Sequence, residues 1–282
     1  MIRQHAPAKL NLTLNVLGRR ADGYHEVRTV LQTVSLFDEL TFAPAADLRF
    51  TCSDPRLAGP DNLVLRAARL LQQQAGVAAG AAIHLLKRIP VASGLGGGSS
   101  DAAAALLGLS RLWGLEYSRE QLQPLAAQLG SDVPFFLWGG TALAEGRGER
   151  ITPLRPLREL WFVLLPASAA APEKTKQLFA ALTPEDYSAG DATERLLAQL
   201  RDGTVDPAAF ANDMTAAACR LFPAVRAAFA ALDRLGARPH LSGAGPSVFA
   251  ATVDREEAAR WAAALHAAGV PALLVEPVST VR

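Results

Sequence analysis

Cysteine is scarce. The two present, Cys52 and Cys219, are far apart and lack metal-ligand spacing, so the chain has no disulfide framework and they read as buried thiols. Net charge is nearly absent as well: 28 basic residues against 27 acidic ones leave +1. Such a chain has no overall field to draw in a polynucleotide, and its basic residues are scattered rather than striped. No uncharged apolar run approaches the ~20 residues of a membrane helix. The first residues, MIRQHAP, hold no apolar stretch of signal-peptide length. Together these gaps point to a cytoplasmic protein with no nucleic-acid and no membrane partner. Lysine is also rare, at four residues (Lys9, Lys87, Lys174 and Lys176) against 24 arginines. A chain that turns to arginine wherever either cation serves keeps lysine where a compact ammonium is wanted.

What is present is ordinary globular material: 282 residues, 50% hydrophobic and 20% charged. That is enough for one large domain or two modest ones. Residues 9 to 17 alternate strictly. Leu10, Leu12, Leu14 and Val16 share one face, and Lys9, Asn11, Thr13 and Asn15 share the other. The period predicts a half-buried strand whose polar face is either a solvated edge or the lining of a site. Further strands are predicted over 27–36, 81–89 and 161–165. Asp61 is placed to cap a helix that Gly76 stops, and an alanine-leucine run predicts another over 102–112. Ser118 with Gln121, and Asp254 with Glu257, have capping-box spacing; Pro124 should kink the first of these helices, and Gly269 closes the second. The proline-rich stretch at 151–160 marks a domain boundary, giving domains 1–152 and 153–282. Strands and helices are mixed throughout, which means α+β or α/β.

The most informative segment is Pro90, Val91, Ala92, Ser93, Gly94, Leu95, Gly96, Gly97, Gly98, Ser99 and Ser100, followed by Asp101 and Ala102. Glycines between a strand and a helix permit positive φ and close approach to backbone N–H groups. The helix start adds unpaired donors and the positive end of the helix dipole, so the segment reads as a phosphate site. Otherwise it is a flexible connection with Ser99 or Ser100 as N-cap. It is no P-loop, since no Gly-Lys-Ser/Thr follows, and it lacks the third glycine of a dinucleotide fingerprint. Glu116 lies at the distance of a ribose-binding acid, but in a short link between two helical patterns rather than at a strand end.

This segment resembles the central motif of the GHMP kinases, the superfamily of galactokinase, homoserine kinase, mevalonate kinase and phosphomevalonate kinase. The long Gly-Leu-Gly-Gly-Gly-Ser-Ser form is similar to the branch that phosphorylates a cytidine diphosphate-linked polyol in the non-mevalonate isoprenoid route. Ala8-Lys9-Leu10-Asn11-Leu12, Ala21-Asp22-Gly23-Tyr24-His25, Asp61-Asn62-Leu63, Gly130-Ser131-Asp132-Val133-Pro134 and Ser242-Gly243-Ala244-Gly245-Pro246 resemble its other segments, in the family's order. The resemblance implies an α+β, two-domain GHMP kinase fold. The N-terminal domain would be ribosomal-protein-domain-2-like with a left-handed βαβ unit, and the C-terminal one ferredoxin-like. It implies ATP and Mg²⁺ as cofactors, small-molecule substrates, and a monomer or weak homodimer.

The resemblance also assigns residues. Asp132 is the catalytic carboxylate and Lys9 its partner; the residues alone favour Asp132 as a helix cap before Pro134, and Lys9 reads there as a strand-end lysine. ATP falls to the loop, with Asn62, Leu63 and Lys87 beside it, although Lys87 also reads as an exposed strand lysine. Asn11, Tyr24, His25, Thr175, Phe179, Gly243 and Gly245 are assigned to the substrate. Tyr24 and His25, after the Asp22-Gly23 turn, take the cytosine by stacking and hydrogen bonding, and Phe179 stacks on the base's other face. Ser93 departs from the family's glycine or alanine, 169–174 departs from its usual pattern, and 183–215 carries no motif. No metal ligand stands out beyond the hydroxyls of Ser99 and Ser100.

Overall fold

Strict alternation makes strands here, but longer ones than the alternating windows. In the computed structural model, which describes residues 1–168 and 174–279, β1 runs Ile2–Arg19 and β2 His25–Ala45, paired antiparallel. β3 (Leu48–Cys52) and β4 (Gly80–Leu86) are parallel neighbours joined through α1 (Leu63–Ala75), a βαβ unit. β5 (Thr141–Gly146) adds to β2, and β6 (Arg150–Pro153) to β5. Three helices accompany this sheet: α2 (Gly97–Leu112), α3 (Arg119–Leu129) and α4 (Val133–Trp138). α2 lies so close to it that a Cβ on Gly108 would meet the Phe42 ring at 2.4 Å, and its Ala102–Ala105 run keeps the approach open.

The second half begins with β7 (Trp161–Leu165), α5 (Lys174–Ala180), α6 (Asp191–Asp202), β8 (Ala211–Asn212), α7 (Thr215–Leu221) and α8 (Pro223–Asp233). β9 (His240–Leu241), β10 (Val248–Thr252), α9 (Arg255–Ala267) and β11 (Leu273–Val275) complete it. Its antiparallel sheet has the order β11-β7-β10-β9, the first strand lying between the last and the third. β8 leaves this half to pair in parallel with β1. One apolar cluster joins the two sheets, with Leu10 and Leu12 of β1 packed among Phe162, Leu164, Leu196, Phe210 and Phe249. No single helix among the described residues is long and apolar enough to cross a membrane.

Several local expectations need correction. α2 begins at Gly97, not at 102, so the glycine and serine run forms its first turn; its N-cap is Gly96 in the left-handed conformation, and neither Ser99 nor Ser100 caps it. The strand predicted over 81–89 ends at Leu86. Asn62 rather than Asp61 caps α1, accepting from Val64 N at 2.8 Å. The Ser118–Gln121 capping box is closed, and α3 continues through Pro124. Asp254 caps α9, but the Glu257 carboxylate accepts from Thr252 Oγ1 instead of closing a box. Both cysteines are free thiols and only half-buried. The departure noted at 169–174 lies outside the described residues except for Lys174.

Candidate active site

The polar face of β1 is not a solvated edge. Lys9, Asn11, Thr13 and Asn15 are all buried. Asn15 and Thr13 engage Thr193 of α6, and Asn15 also donates to Ser188 at 2.8 Å. Asn11 donates to Thr29 Oγ1 at 2.8 Å and accepts a short hydrogen bond from the Lys9 ammonium. Each polar group finds a partner, as burial demands. The row thus changes role along the strand: its C-terminal part ties the two halves together and its N-terminal part presents Lys9.

Lys9 stands beside the glycine-rich loop. Its backbone N–H donates to Leu95 O at 2.9 Å. A Cβ on Gly96 would lie 3.0 Å from Lys9 Cγ and 2.8 Å from the Phe136 ring. Lys9 Nζ is 3.9 Å from Asp132 Oδ2, with the lysine side chain 5% exposed and the aspartate 39%. Burial lowers the Lys9 pKa, and the Asp132 carboxylate partly offsets that. Asp132 occupies the N-cap position of α4 but makes no cap hydrogen bond, so its carboxylate is left to face Lys9 and solvent.

The loop of residues 90–96 is closed from the second half. Ser247 N donates to Ser93 O at 3.1 Å and Ser242 Oγ to Gly94 O at 3.2 Å. At Gly94 (φ +84°) a Cβ would strike Ser242 O at 2.4 Å and Gly245 O at 2.7 Å, so only glycine fits where the two glycine-rich segments meet. At Gly243 a Cβ would lie 3.0 Å from Lys9 Nζ and 3.2 Å from Asn11 Oδ1. Gly245 packs on Leu241 behind it. Pro90 is half-buried, Val91, Ala92 and Gly98 are exposed, and Ser93 and Leu95 are buried. The loop therefore shows one side to solvent and fixes the other.

Beneath α2's first turn lies a charge cluster that sequence reasoning missed. Lys87 is not an exposed strand lysine: its side chain, 9% exposed, lies between Asp38 and Asp101, with Asp101 Oδ2 at 2.9 Å, and a Cβ on Gly97 would lie 3.2 Å from its Nζ. Asp38, fully buried, also accepts from Ile89 N at 2.9 Å and from Arg88 N at 2.5 Å. Burial would lower the Lys87 pKa, but the two carboxylates outweigh it and raise it. Burial pushes Asp101 up to about 8, with Asp38 adding to the shift against Lys87. Ser100 Oγ and Asp101 Oδ1 are buried with no hydrogen-bond partner among the described residues. Asn62 spends both ends of its amide on the fold, on Val64 N and on Leu57 O at 2.8 Å. A Cβ on Gly98, in α2's first turn, would lie 3.8 Å from Leu63 Cδ1.

The turn before β2 carries Tyr24, 54% exposed, with the Arg147 guanidinium 4.8 Å over its ring. Asp22 holds the turn by accepting from Tyr24 N at 3.1 Å. His25 stacks on Phe179 of α5 at 5.0 Å and 25°, and Tyr187 O–H lies 3.3 Å from its Nε2. Phe179 is thus brought to the turn as expected, but onto His25 rather than opposite Tyr24, two rings burying their faces on each other. Burial, with Arg19 nearby, lowers the His25 pKa, which favours the neutral form of the imidazole. Thr175 is exposed on α5. Arg147, Tyr187 and Asp38 carry no local signal; only the contact reveals them. For Lys174, buried at the start of α5 and donating to Ala92 O at 3.3 Å, the scarcity of lysine was the available hint.

Residues 62–140 match the model of the GHMP kinases N terminal domain. The chain is 42% identical over 260 residues to 4-diphosphocytidyl-2-C-methyl-D-erythritol kinase of Dehalococcoides mccartyi, covering 92% of each chain. It is 44% identical to the enzyme of that name from Pelotomaculum thermopropionicum, covering 92% of this chain and 91% of the other. A crystal structure of 4-(cytidine 5'-diphospho)-2C-methyl-D-erythritol kinase superposes with a TM-score of 0.83 at 39% identity, over 97% of this chain and 98% of that one. The chain belongs to the GHMP kinases, in the family of the 4-diphosphocytidyl-2-C-methyl-D-erythritol kinases.

Proposed function

We propose that the chain transfers the γ-phosphoryl group of ATP to the 2-hydroxyl of 4-(cytidine 5'-diphospho)-2-C-methyl-D-erythritol, giving the 2-phosphate and ADP. One observation carries the reading. Lys9 Nζ, the Asp132 carboxylate 3.9 Å away and the loop around Gly96 meet at one point. Phosphoryl transfer to an alcohol asks for little more: a cradle for the donor phosphates, a cation and a carboxylate near the attacking oxygen.

The loop from Pro90 to Ser100 cradles the ATP phosphates through its N–H groups, and α2's N-terminus adds its dipole. Asp132 accepts the hydroxyl proton as the acceptor oxygen forms its bond to phosphorus. Lys9 faces that carboxylate and offsets charge on the transferring group. Asn11, held by Thr29, orients the acceptor beside Lys9. Tyr24 and His25 take the cytosine; a base held between Tyr24 and Phe179 requires Phe179 to leave His25. Mg²⁺ would accompany ATP and screen the polyphosphate charge, with the hydroxyls of Ser99 and Ser100 in α2's first turn as the groups that would hold it; Asp101, pushed up to about 8 and bonded to Lys87, does not fit as its ligand. We assign the catalytic half to 1–152 and the half that closes the loop to 153–282.

The reading is tested by titrating the protein calorimetrically with three acceptors, each without nucleotide: the cytidine compound, homoserine and mevalonate. Binding of the cytidine compound alone is expected. Binding of a small alcohol in its place, with none of the cytidine compound, rejects the assignment of the turn.

A further inference from the structure

Three of the chain's four lysines surround the glycine-rich loop. Lys9 and Lys87 have partners of opposite charge; Lys174 has none among the described residues. It opens α5, its side chain is 5% exposed, and its Nζ donates to Ala92 O at 3.3 Å, on the loop itself. No carboxylate of the described residues lies within 4 Å of it. Burial first, and then the positive charge of Lys9, bring its pKa down to about 8. Two desolvated ammonium groups, from β1 and α5, thus face one phosphate-binding loop. Asp132 is the only described carboxylate within 4 Å of either.

A buried cation without a counter-ion costs free energy, and a like charge beside it adds to the cost. Such a pair is at ease only with an anion present. An ammonium carries three donors, of which Ala92 takes one. A chain with 24 arginines has placed a lysine here, a compact charge suited to a tetrahedral phosphoryl group rather than to a planar carboxylate.

We propose that Lys174 is a second catalytic cation, delivered from the C-terminal half, whose ammonium contacts the γ-phosphoryl group of ATP where it lies against the Ala92–Gly96 loop. This rests on the kinase reading above and deepens it. During transfer the γ-phosphorus parts from the bridging oxygen, which keeps the electron pair as ADP leaves. The acceptor oxygen forms the new bond and its proton goes to Asp132. Lys174 keeps its protons throughout and offsets charge on the equatorial oxygens. The contact also completes the site only when the halves of the chain are docked.

The rival is a structural one, in which Lys174 merely fastens Ala92. ADP separates the two, since it occupies the same loop without the γ-group. Calorimetric titrations of Lys174→Met would use ADP and the non-hydrolysable imido analogue of ATP, each with magnesium, against wild type. The expected result is an analogue weakened about tenfold or more, from loss of one charged hydrogen bond, with ADP affinity within about twofold. Turnover should fall along with the analogue's affinity, and Lys174→Arg should recover part of both. Equal weakening of ADP and analogue, no change in either, or weakening of the cytidine acceptor alone would each overturn the proposal. Lys174→Gln serves for the same comparison if the methionine variant fails to fold. A wild type that binds the analogue yet turns over no cytidine acceptor sinks the parent reading, while the nucleotide comparison still decides the role of Lys174.

Discussion

Asp132 shows how a single residue divides between structure and chemistry. Its position before Val133-Pro134 suits a cap, worth about 1 kcal/mol. Its side chain makes no cap bond and faces Lys9 instead, so the helix gains little from it. Asp132→Asn should therefore leave the melting temperature nearly unchanged while turnover falls by roughly 10²–10⁴-fold, the range of a lost general base. Steady-state kinetics beside a thermal melt checks this, and near-normal turnover excludes a catalytic carboxylate. Lys174 makes a pH prediction. Its folded pKa, about 8, lies below the ordinary 10.5, so between these values the unfolded chain holds a proton that the folded chain has lost. Stability should then rise with pH across that window. Measured against Lys174→Met without ligand, wild type should gain relative stability from pH 8 to 10; a flat difference contradicts the buried ammonium. Both residues could be picked out in the sequence, Asp132 by its motif and Lys174 by the rarity of lysine. Their partners could not, because contacts between Lys9 and Asp132, or Lys174 and Ala92, span more than 80 residues of chain.

At the scale of elements, alternation marks the strands, whereas capping signals hold only in part: Ser118 and Asp254 cap as their spacing implies, but Asn62 takes the place of Asp61, Gly96 that of Ser99 or Ser100, and Glu257 closes no box. Gly97, Gly98, Ser99 and Ser100 are poor helix formers, so the helix was expected to start after them. Tertiary contact overrides propensity, and they form α2's first turn, which brings its N–H groups to the loop. The backbone at Gly94 is similarly set by what surrounds it. Gly94→Ala would place a Cβ 2.4 Å from Ser242 O at φ +84°. The loop must then shift, with a stability loss of about 1–3 kcal/mol from backbone strain and weakened nucleotide binding. Denaturant unfolding and an ATP titration measure both; a variant unchanged in each would mean that the two glycine-rich segments need not touch. The polar face of β1 was legible as unusual but ambiguous between edge and site. Asn15 settles it only through Ser188 and Thr193, which lie in a stretch without any motif.

The whole molecule is more entangled than a boundary near 151–160 suggests. β8 returns to pair with β1, and the C-terminal segment reaches back as well, Val278 N donating to Thr33 O at 2.9 Å. Leu10, Leu12, Phe162 and Phe249 share one core. Nothing local encodes these returns, since residues 211–212 and 276–278 are too short to show a period. Their consequence is cooperativity: calorimetry should show one unfolding transition, with no separate melting of 1–152 and 153–282. Two resolved transitions would mean that the shared core and the returning strands contribute little.

The site at this junction joins a glycine-rich loop, a lysine–aspartate pair and a turn with an aromatic and an imidazole. ADP release by the purified protein with magnesium-ATP tests that account most directly, with the cytidine diphosphate-linked methylerythritol, homoserine and mevalonate each as sole acceptor. The account predicts turnover with the cytidine compound alone. Turnover with a small alcohol, or none with any acceptor in a protein that ATP still stabilises against heat, would contradict it.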